Sequence, residues 1–189
     1  MNRSDPKLRL FIALEIPSEL KKAITQYEKE IPYWRFCREL HLTMRFIGDT
    51  PAGKLESLLD GFENGLREPR KVRFTPVGYG FNPSEKRAGS LCLKMQCSHA
   101  MQELKDKVDD IVLNALGLPK ETRSFQPHIT LIRFRKPPNP LDLSRLKKWG
   151  DAFPKLPEPF ASKIILFQSE LTRDGAVHTA LSEQELDYL

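Results

Sequence analysis

Apolar and polar positions alternate along this chain in blocks that read as short strands and helices. Leu8 to Ile16 (LRLFIALEI) is almost wholly apolar and ends at Pro17, which predicts a buried first strand. Ser18 then caps a helix with Glu19 in its first turn, running to about Glu30, with Leu20, Ile24 and Tyr27 on one stripe. Leu40 to Ile47 predicts a second strand, closed by Gly48-Asp49. Pro51 opens a second helix carrying Leu55, Leu58, Leu59, Phe62 and Leu66 at helical spacing. Val72 to Phe81 and Ser90 to Met95 read as two strands joined by the polar loop NPSEKRAG. Met101 to Leu116 is a third helix, with Leu104, Val108, Ile111, Val112 and Leu116 in its apolar stripe, and it stops at Gly117.

Pro127 leads into a strand over His128 to Phe134, and KPPNP at 136–140 is a rigid break. A short helix is expected over Leu141 to Trp149. Phe160 to Leu171 and Val177 to Leu181 read as a closing pair of strands around the turn Arg173-Asp174-Gly175. With no long linker and no low-complexity tract, residues 1–189 are expected to form a single domain of two similar lobes, α+β in class, each half offering about four strands and two helices.

Composition narrows the function classes. At 189 residues the chain is long enough to bury a core without staples, and 40% hydrophobic with 29% charged residues is ordinary for a globular protein. Three cysteines, Cys37, Cys92 and Cys97, are too few and too oddly spaced for a disulfide framework or a zinc ribbon. The longest apolar run near the start, Leu10 to Leu14, is too short for a signal-peptide core or a membrane span, so a soluble cytoplasmic protein is expected, with no membrane and no obligate protein partner. A net charge of +5 points to an anionic partner, nucleic acid first.

Candidate chemistry lies in a doubled pattern. HLTMRF at residues 41–46 and HITLIRF at residues 128–134 both read His-apolar-Thr-apolar with an arginine just downstream, and they use two of only four histidines. In a strand, residues two apart share a face, so His41 projects with Thr43, and His128 with Thr130, while Leu42, Met44, Ile129 and Leu131 point into the apolar layer. If two lobes oppose these faces, the cleft holds two imidazoles and two hydroxyls. That set suits phosphodiester chemistry without a metal: a neutral imidazole takes a proton from water, and a protonated one gives a proton to the leaving oxygen. Threonine hydroxyls and arginine can stabilise phosphoryl charge. A single His-x-Thr is a common half-buried pair on a sheet; two of them inside apolar strands are harder to dismiss.

The pair LHLTMRFIGD and FQPHITLIRF resembles the two HxTx signatures of the 2H phosphoesterase superfamily. Within it the chain is similar to the RNA 2',3'-cyclic phosphodiesterases, also called 2'-5' RNA ligase-like proteins. RLFIALEIP, Trp34, FIGDT and SELTRDGAVHTAL match that pattern, so the resemblance covers almost the whole chain. It implies two pseudo-symmetric lobes, each an antiparallel sheet with outer helices, and an active-site cleft between the sheets. It implies opening of a 2',3'-cyclic phosphate to a 2'-phosphomonoester without metal or cofactor. By that resemblance His41 is the general acid for the 3'-oxygen, His128 the base for water, and Thr43, Thr130 and Arg133 the phosphate-binding residues. The implied partners are RNA or oligonucleotides with 2',3'-cyclic phosphate ends, with tRNA fragments and cyclic nucleotides as further candidates. The pseudo-symmetry leaves open a swap of acid and base.

Strict alternation turns Arg133, five residues after His128, away from the cleft, so its role needs a twist, a bulge or a curling side chain. Arg45, four after His41, has the parity to contact substrate; the competing reading is a solvated charge at a sheet rim. Phe11 is a candidate to stack a base, against a core role. His99 is expected at the surface and His178 in a structural role. The basic segment from Arg67 to Arg73 and the loop at Lys86-Arg87 are weak candidates to follow an RNA backbone. A zinc site from His41, His128 and Cys37 has no recognised spacing. Two other functions compete with hydrolysis: a non-catalytic nucleotide- or RNA-binding module in the same cleft, and the reverse reaction, 2'-5' RNA ligation.

Overall fold

The structure is a computed structural model that describes residues 5–28, 30, 31, 33–66, 71–173 and 175–186. Among these residues seven strands, β1 (Lys7–Glu15), β2 (His41–Pro51), β3 (Pro76–Asn82), β4 (Ser90–Met95), β5 (His128–Arg133), β6 (Lys163–Thr172) and β7 (Gly175–Glu185), are interspersed with four α-helices, α1 (Ser18–Glu28), α2 (Leu55–Gly65), α3 (His99–Leu116) and α4 (Pro140–Asp151). The strands pair antiparallel in the order β3-β4-β5-β2-β1-β6-β7, which makes the fold α+β, as expected.

The expected two lobes are two wings of this sheet. The join between them is narrow: β2 and β5 pair through Leu42 and Ile129 alone. The wings are not successive halves of the chain. β3, β4 and β5 make one, and β1 and β2 join the C-terminal β6 and β7 in the other. The run from Leu10 to Leu14 explains this. All five residues are buried, so β1 has to be a central strand, and it takes β2 on one edge and β6 on the other.

Helices cover one face. Leu10, Ile12 and Leu14 of β1, Leu42 and Met44 of β2 and Ile129 and Leu131 of β5 share a core with Leu58 and Phe62 of α2 and with Leu104, Val108 and Val112 of α3. Around β3, α4 packs Trp149 edge-on against Tyr79, and the Trp149 indole N–H donates to the Tyr27 carbonyl at the end of α1. The opposite face is left to Thr43, Thr130 and both motif histidines.

Several boundaries differ from the sequence reading, each for a local reason. β2 continues past Ile47 to Pro51 because Gly48 takes a left-handed conformation (φ +85°) and the ladder to β1 resumes at Leu10. The strand expected from Val72 starts only at Pro76; Val72 and Phe74 are fully buried core residues, tied to 159–161 by backbone hydrogen bonds. The closing turn is tighter than expected, so β6 and β7 reach Thr172 and Gly175; Asp174 lies outside the described residues. Leu42 is the one residue of β2 in register with β5, and it is fully buried. Leu42→Ala is expected to cost about 2–5 kcal/mol in urea-induced unfolding.

Candidate active site

The two motifs fold alike. The pairing of Leu42 with Ile129 sends both side chains to the helices. In this antiparallel register His41 falls across from Thr130, and Thr43 across from His128, on the other face. Each imidazole therefore faces the other motif's hydroxyl. The burial sequence is the same in both strands: half-buried His and Thr, buried residues at the second, fourth and fifth places, and an exposed sixth.

That shared sequence has a backbone cause. In β2 the ladder to β1 skips Met44, and in β5 the ladder to β4 skips Leu131, so each motif carries a β-bulge at its fourth residue. A bulge adds one residue and reverses the alternation beyond it. Arg133 is thereby returned to the open face, exposed, and near enough for its charge to oppose protonation of His41 and His178. The same bulge corrects the reading of Arg45, which is neither in the cleft nor solvated at a rim. It is buried on the helix face, where Nη2 donates to the Pro119 carbonyl at 2.7 Å and Nη1 lies 3.5 Å from Asp109 and 3.6 Å from Glu121. Lys105 completes this cluster, 2.6 Å from Asp109 and 3.2 Å from Glu121. The residue that shares Arg133's position in the first motif is Phe46, half exposed beneath the Arg9 guanidinium at 4.6 Å.

Both imidazoles are held the same way. His41 Nδ1 is 2.9 Å from the Glu39 carbonyl, and His128 Nδ1 is 2.8 Å from the Gln126 carbonyl. A carbonyl only accepts, so Nδ1 carries the hydrogen in each ring and Nε2 is the free nitrogen. Their surroundings then diverge. Asn82 Nδ2 approaches His128 Nε2 at 3.5 Å, and Lys94 is the cross-strand neighbour of His128. Thr130 pairs across the ladder with Cys92, whose Sγ is 3.8 Å from the hydroxyl. His41 instead lies among rings: Phe11 at 5.0 Å, His178 at 5.2 Å and Phe167 at 6.5 Å. Burial lowers its proton affinity; the hydrogen bond to Glu39 raises it; His178, Arg133 and His128 lower it further. The net effect brings its pKa to about 4.

Phe11 does not offer a stacking face. It is 4% exposed, stacked on Phe167 and packed against both His41 and His178. His99 is exposed and 3.2 Å from Glu103, a surface position as expected. Arg67 to Arg70 lie outside the described residues; Arg73 covers the Phe160 ring, and Lys86-Arg87 sit on an exposed turn. No group of three or more His, Cys, Asp or Glu is arranged to hold a metal ion among the described residues, and none of their helices is long and apolar enough to cross a membrane.

Sequence reasoning missed Glu39, Asn82, Phe167 and the ring contact of His178. Glu39 acts partly through its carbonyl, which leaves no side-chain signal. His178 and Phe167 come from strands far along the chain, and only the sheet order brings them to His41. A cavity of about 580 Å³ opens beside His41, lined by Lys21, Arg38, Glu39, Phe167 and His178. A second, of about 220 Å³, opens beside His128, lined by Asn82, Lys94 and Gln126.

A family model described as the 2'-5' RNA ligase superfamily matches residues 16–157. The chain belongs to that superfamily. Its similarity extends to proteins named RNA 2',3'-cyclic phosphodiesterase. That of Thermus thermophilus is 29% identical over 188 residues, covering 95% of this chain and 90% of its own length. That of Methanocaldococcus jannaschii is 26% identical over 181 residues, covering 93% and 99%. A crystal structure of a Thermus thermophilus protein matches with a TM-score of 0.72 at 25% identity, over 95% of this chain and 98% of that one. Escherichia coli LigT complexed with NADP+ matches with a TM-score of 0.68 at 21% identity, over 97% and 99%, which is a likeness of fold.

Two measurements follow from this geometry. Arg45→Met removes one cation from a buried cluster that keeps Asp109 and Glu121; it is expected to cost on the order of 3 kcal/mol in stability. His41, with its pKa below the ordinary 6.5, stays neutral through neutral pH and takes a proton only as the pH falls toward about 4. Histidine ring NMR of the free protein, assigned with His41→Gln, is expected to show that late titration.

Proposed function

We propose that this chain is an RNA 2',3'-cyclic phosphodiesterase that hydrolyses cyclic phosphate ends to 2'-phosphomonoesters by acid–base catalysis between His41 and His128. The observation that carries this reading is the cross-wise pairing of the motifs: two imidazoles on one face, each opposite the other's threonine, each with Nδ1 tied to a carbonyl and Nε2 without a hydrogen. The names of the similar proteins support it.

The phosphate of an RNA end sits between Thr43 and Thr130, whose hydroxyls donate to its non-bridging oxygens, with Arg133 neutralising their charge. Neutral His128 takes a proton from water through Nε2, steered by Asn82. The water oxygen bonds to phosphorus as the P–O3' bond breaks, and His41, protonated at Nε2, gives its proton to the departing 3'-oxygen. The products are a 2'-phosphate and a 3'-hydroxyl, and the proton His128 gained restores His41 through solvent. His41 is neutral in the empty cleft, so its proton enters with the anionic substrate, whose charge offsets Arg133. A weakly basic imidazole is, once protonated, a strong acid for an alkoxide leaving group. The larger cavity beside His41 suits the ribose and base on the leaving-group side.

One observation favours the exchanged roles: an imidazole with low proton affinity is already the neutral form a base requires. A cyclic phosphate whose bridging 3'-oxygen is replaced by sulfur separates the two, because a thiolate leaves without a proton. With ordinary RNA ends in excess EDTA, wild type is expected to release a 2'-phosphate, and His41→Ala and His128→Ala are each expected to lose about 10²–10⁴-fold in kcat. On the 3'-thio substrate His41→Ala is expected to recover most of its rate while His128→Ala does not. Recovery of His128→Ala instead assigns the acid role to His128. Full activity of His128→Ala on ordinary RNA ends overturns the two-histidine reading.

A further inference from the structure

His178 belongs to β7, the edge strand, and two strands separate it from β2 in the sheet. Its ring nevertheless meets that of His41 at 5.2 Å and 87°, an edge-to-face contact. Phe11 braces both rings, at 5.0 Å from His41 and 4.8 Å from His178.

Glu39 connects the same two residues a second way. Its carbonyl accepts the His41 Nδ1–H at 2.9 Å. Its carboxylate Oε2 accepts the His178 backbone N–H at 3.2 Å and lies 3.9 Å from His178 Nε2. Glu39 thus carries, on one residue, the acceptor that selects the His41 tautomer and the group that fastens its own segment to β7. Freed from β7, the stretch just before β2 would keep only its ties to β5 at Phe36 and Cys37, three and two residues upstream, and the Glu39 carbonyl would be free to shift.

We propose that His178, tied to Glu39, is a positioning residue for His41: its ring sets the plane of the His41 imidazole, and its bond to Glu39 fixes the carbonyl that keeps His41 Nε2 turned into the cleft. This rests on the assignment of His41 to the reaction. The ionisation of His178 fits the role. Burial lowers its proton affinity against the pull of Glu39, and Arg133 lowers it further, so the ring is neutral beside a histidine that has to accept a proton during turnover. His178 is not asked to touch substrate; its Nδ1 is buried and has no partner among the described residues.

The test combines two variants with two restorations. His178→Ala removes the ring, and Glu39→Ala removes the carboxylate while sparing the carbonyl. His178→Phe restores an edge, and Glu39→Gln restores an acceptor for the N–H. Long-range nitrogen–proton NMR of the free protein reads the His41 tautomer without any substrate. Wild type is expected to show one tautomer, with hydrogen on Nδ1. His178→Ala and Glu39→Ala are expected to show a mixture, a kcat lowered about tenfold or more, and KM within about twofold. His178→Phe and Glu39→Gln are expected to return both readouts most of the way. A single wild-type tautomer in both alanine variants overturns the proposal, as does a change in KM alone, which would make His178 a substrate contact. A tautomer that responds in a protein with no turnover upholds the positioning role while overturning the hydrolase reading, so the two fail separately.

Discussion

The structure turns on one cross-strand pair. Leu42 and Ile129 join the wings, and the register they set determines everything above them. Because strand side chains alternate, burying this pair under the helices obliges the four flanking residues of the two motifs to share the opposite face. Because the strands run antiparallel, each histidine meets the other motif's threonine. A slip of one residue between β2 and β5 would send one motif's imidazole and hydroxyl under the helices and its apolar partner residue into the cleft. The free energy that resists the slip is the burial of apolar side chains behind the site, so the core holds the register on which the polar face depends.

Placing cations is the second constraint, and the bulges solve it. Without them, the two motif arginines, opposite in parity, would leave Arg133 under the helices and Arg45 in the cleft. With them, Arg133 stands among imidazoles at the open face, and Arg45 goes inside, where it and Lys105 offset the charges of Asp109 and Glu121. Arg45 also holds the Pro119 carbonyl, at the head of the loop that leads to His128. A strand of the first motif is in this way bonded to the approach of the second. The wings, narrow at their sheet junction, gain a further tie at the back of the sheet.

Much of this was legible in the sequence. The doubled motif, its strand setting, the α+β class and seven strands with four helices follow from apolar periodicity and from resemblance; that the expected two sheets run on as one, with wings that are not successive halves of the chain, does not. Arg45 was misread for a physical reason, whereas Phe11 takes the core role that was weighed against base stacking. A bulge changes parity without a sequence signature, since Met44 and Leu131 look like any buried strand residues. Phe11 sits on the correct face, but whether a face residue is open depends on what leans over it, here Phe167 and His178 from the far end of the chain. The ring contact of His178 with His41 was not legible for the same reason: contacts across four strands cannot be read from local pattern.

The two histidines begin as copies and end as different groups. Motif, tautomer and bulge are shared, so the local chain makes them equal. The neighbours supplied by the rest of the fold make them unequal. His128 has an amide and a lysine beside it and a small polar cavity; His41 has three rings and a larger cavity. Burial among these rings is what sets the proton affinity of His41 below the ordinary histidine value. The aromatic wall at His41, assembled from β1, β6 and β7, is where the two motifs part, and two of its three rings come from a C-terminal hairpin that carries neither motif.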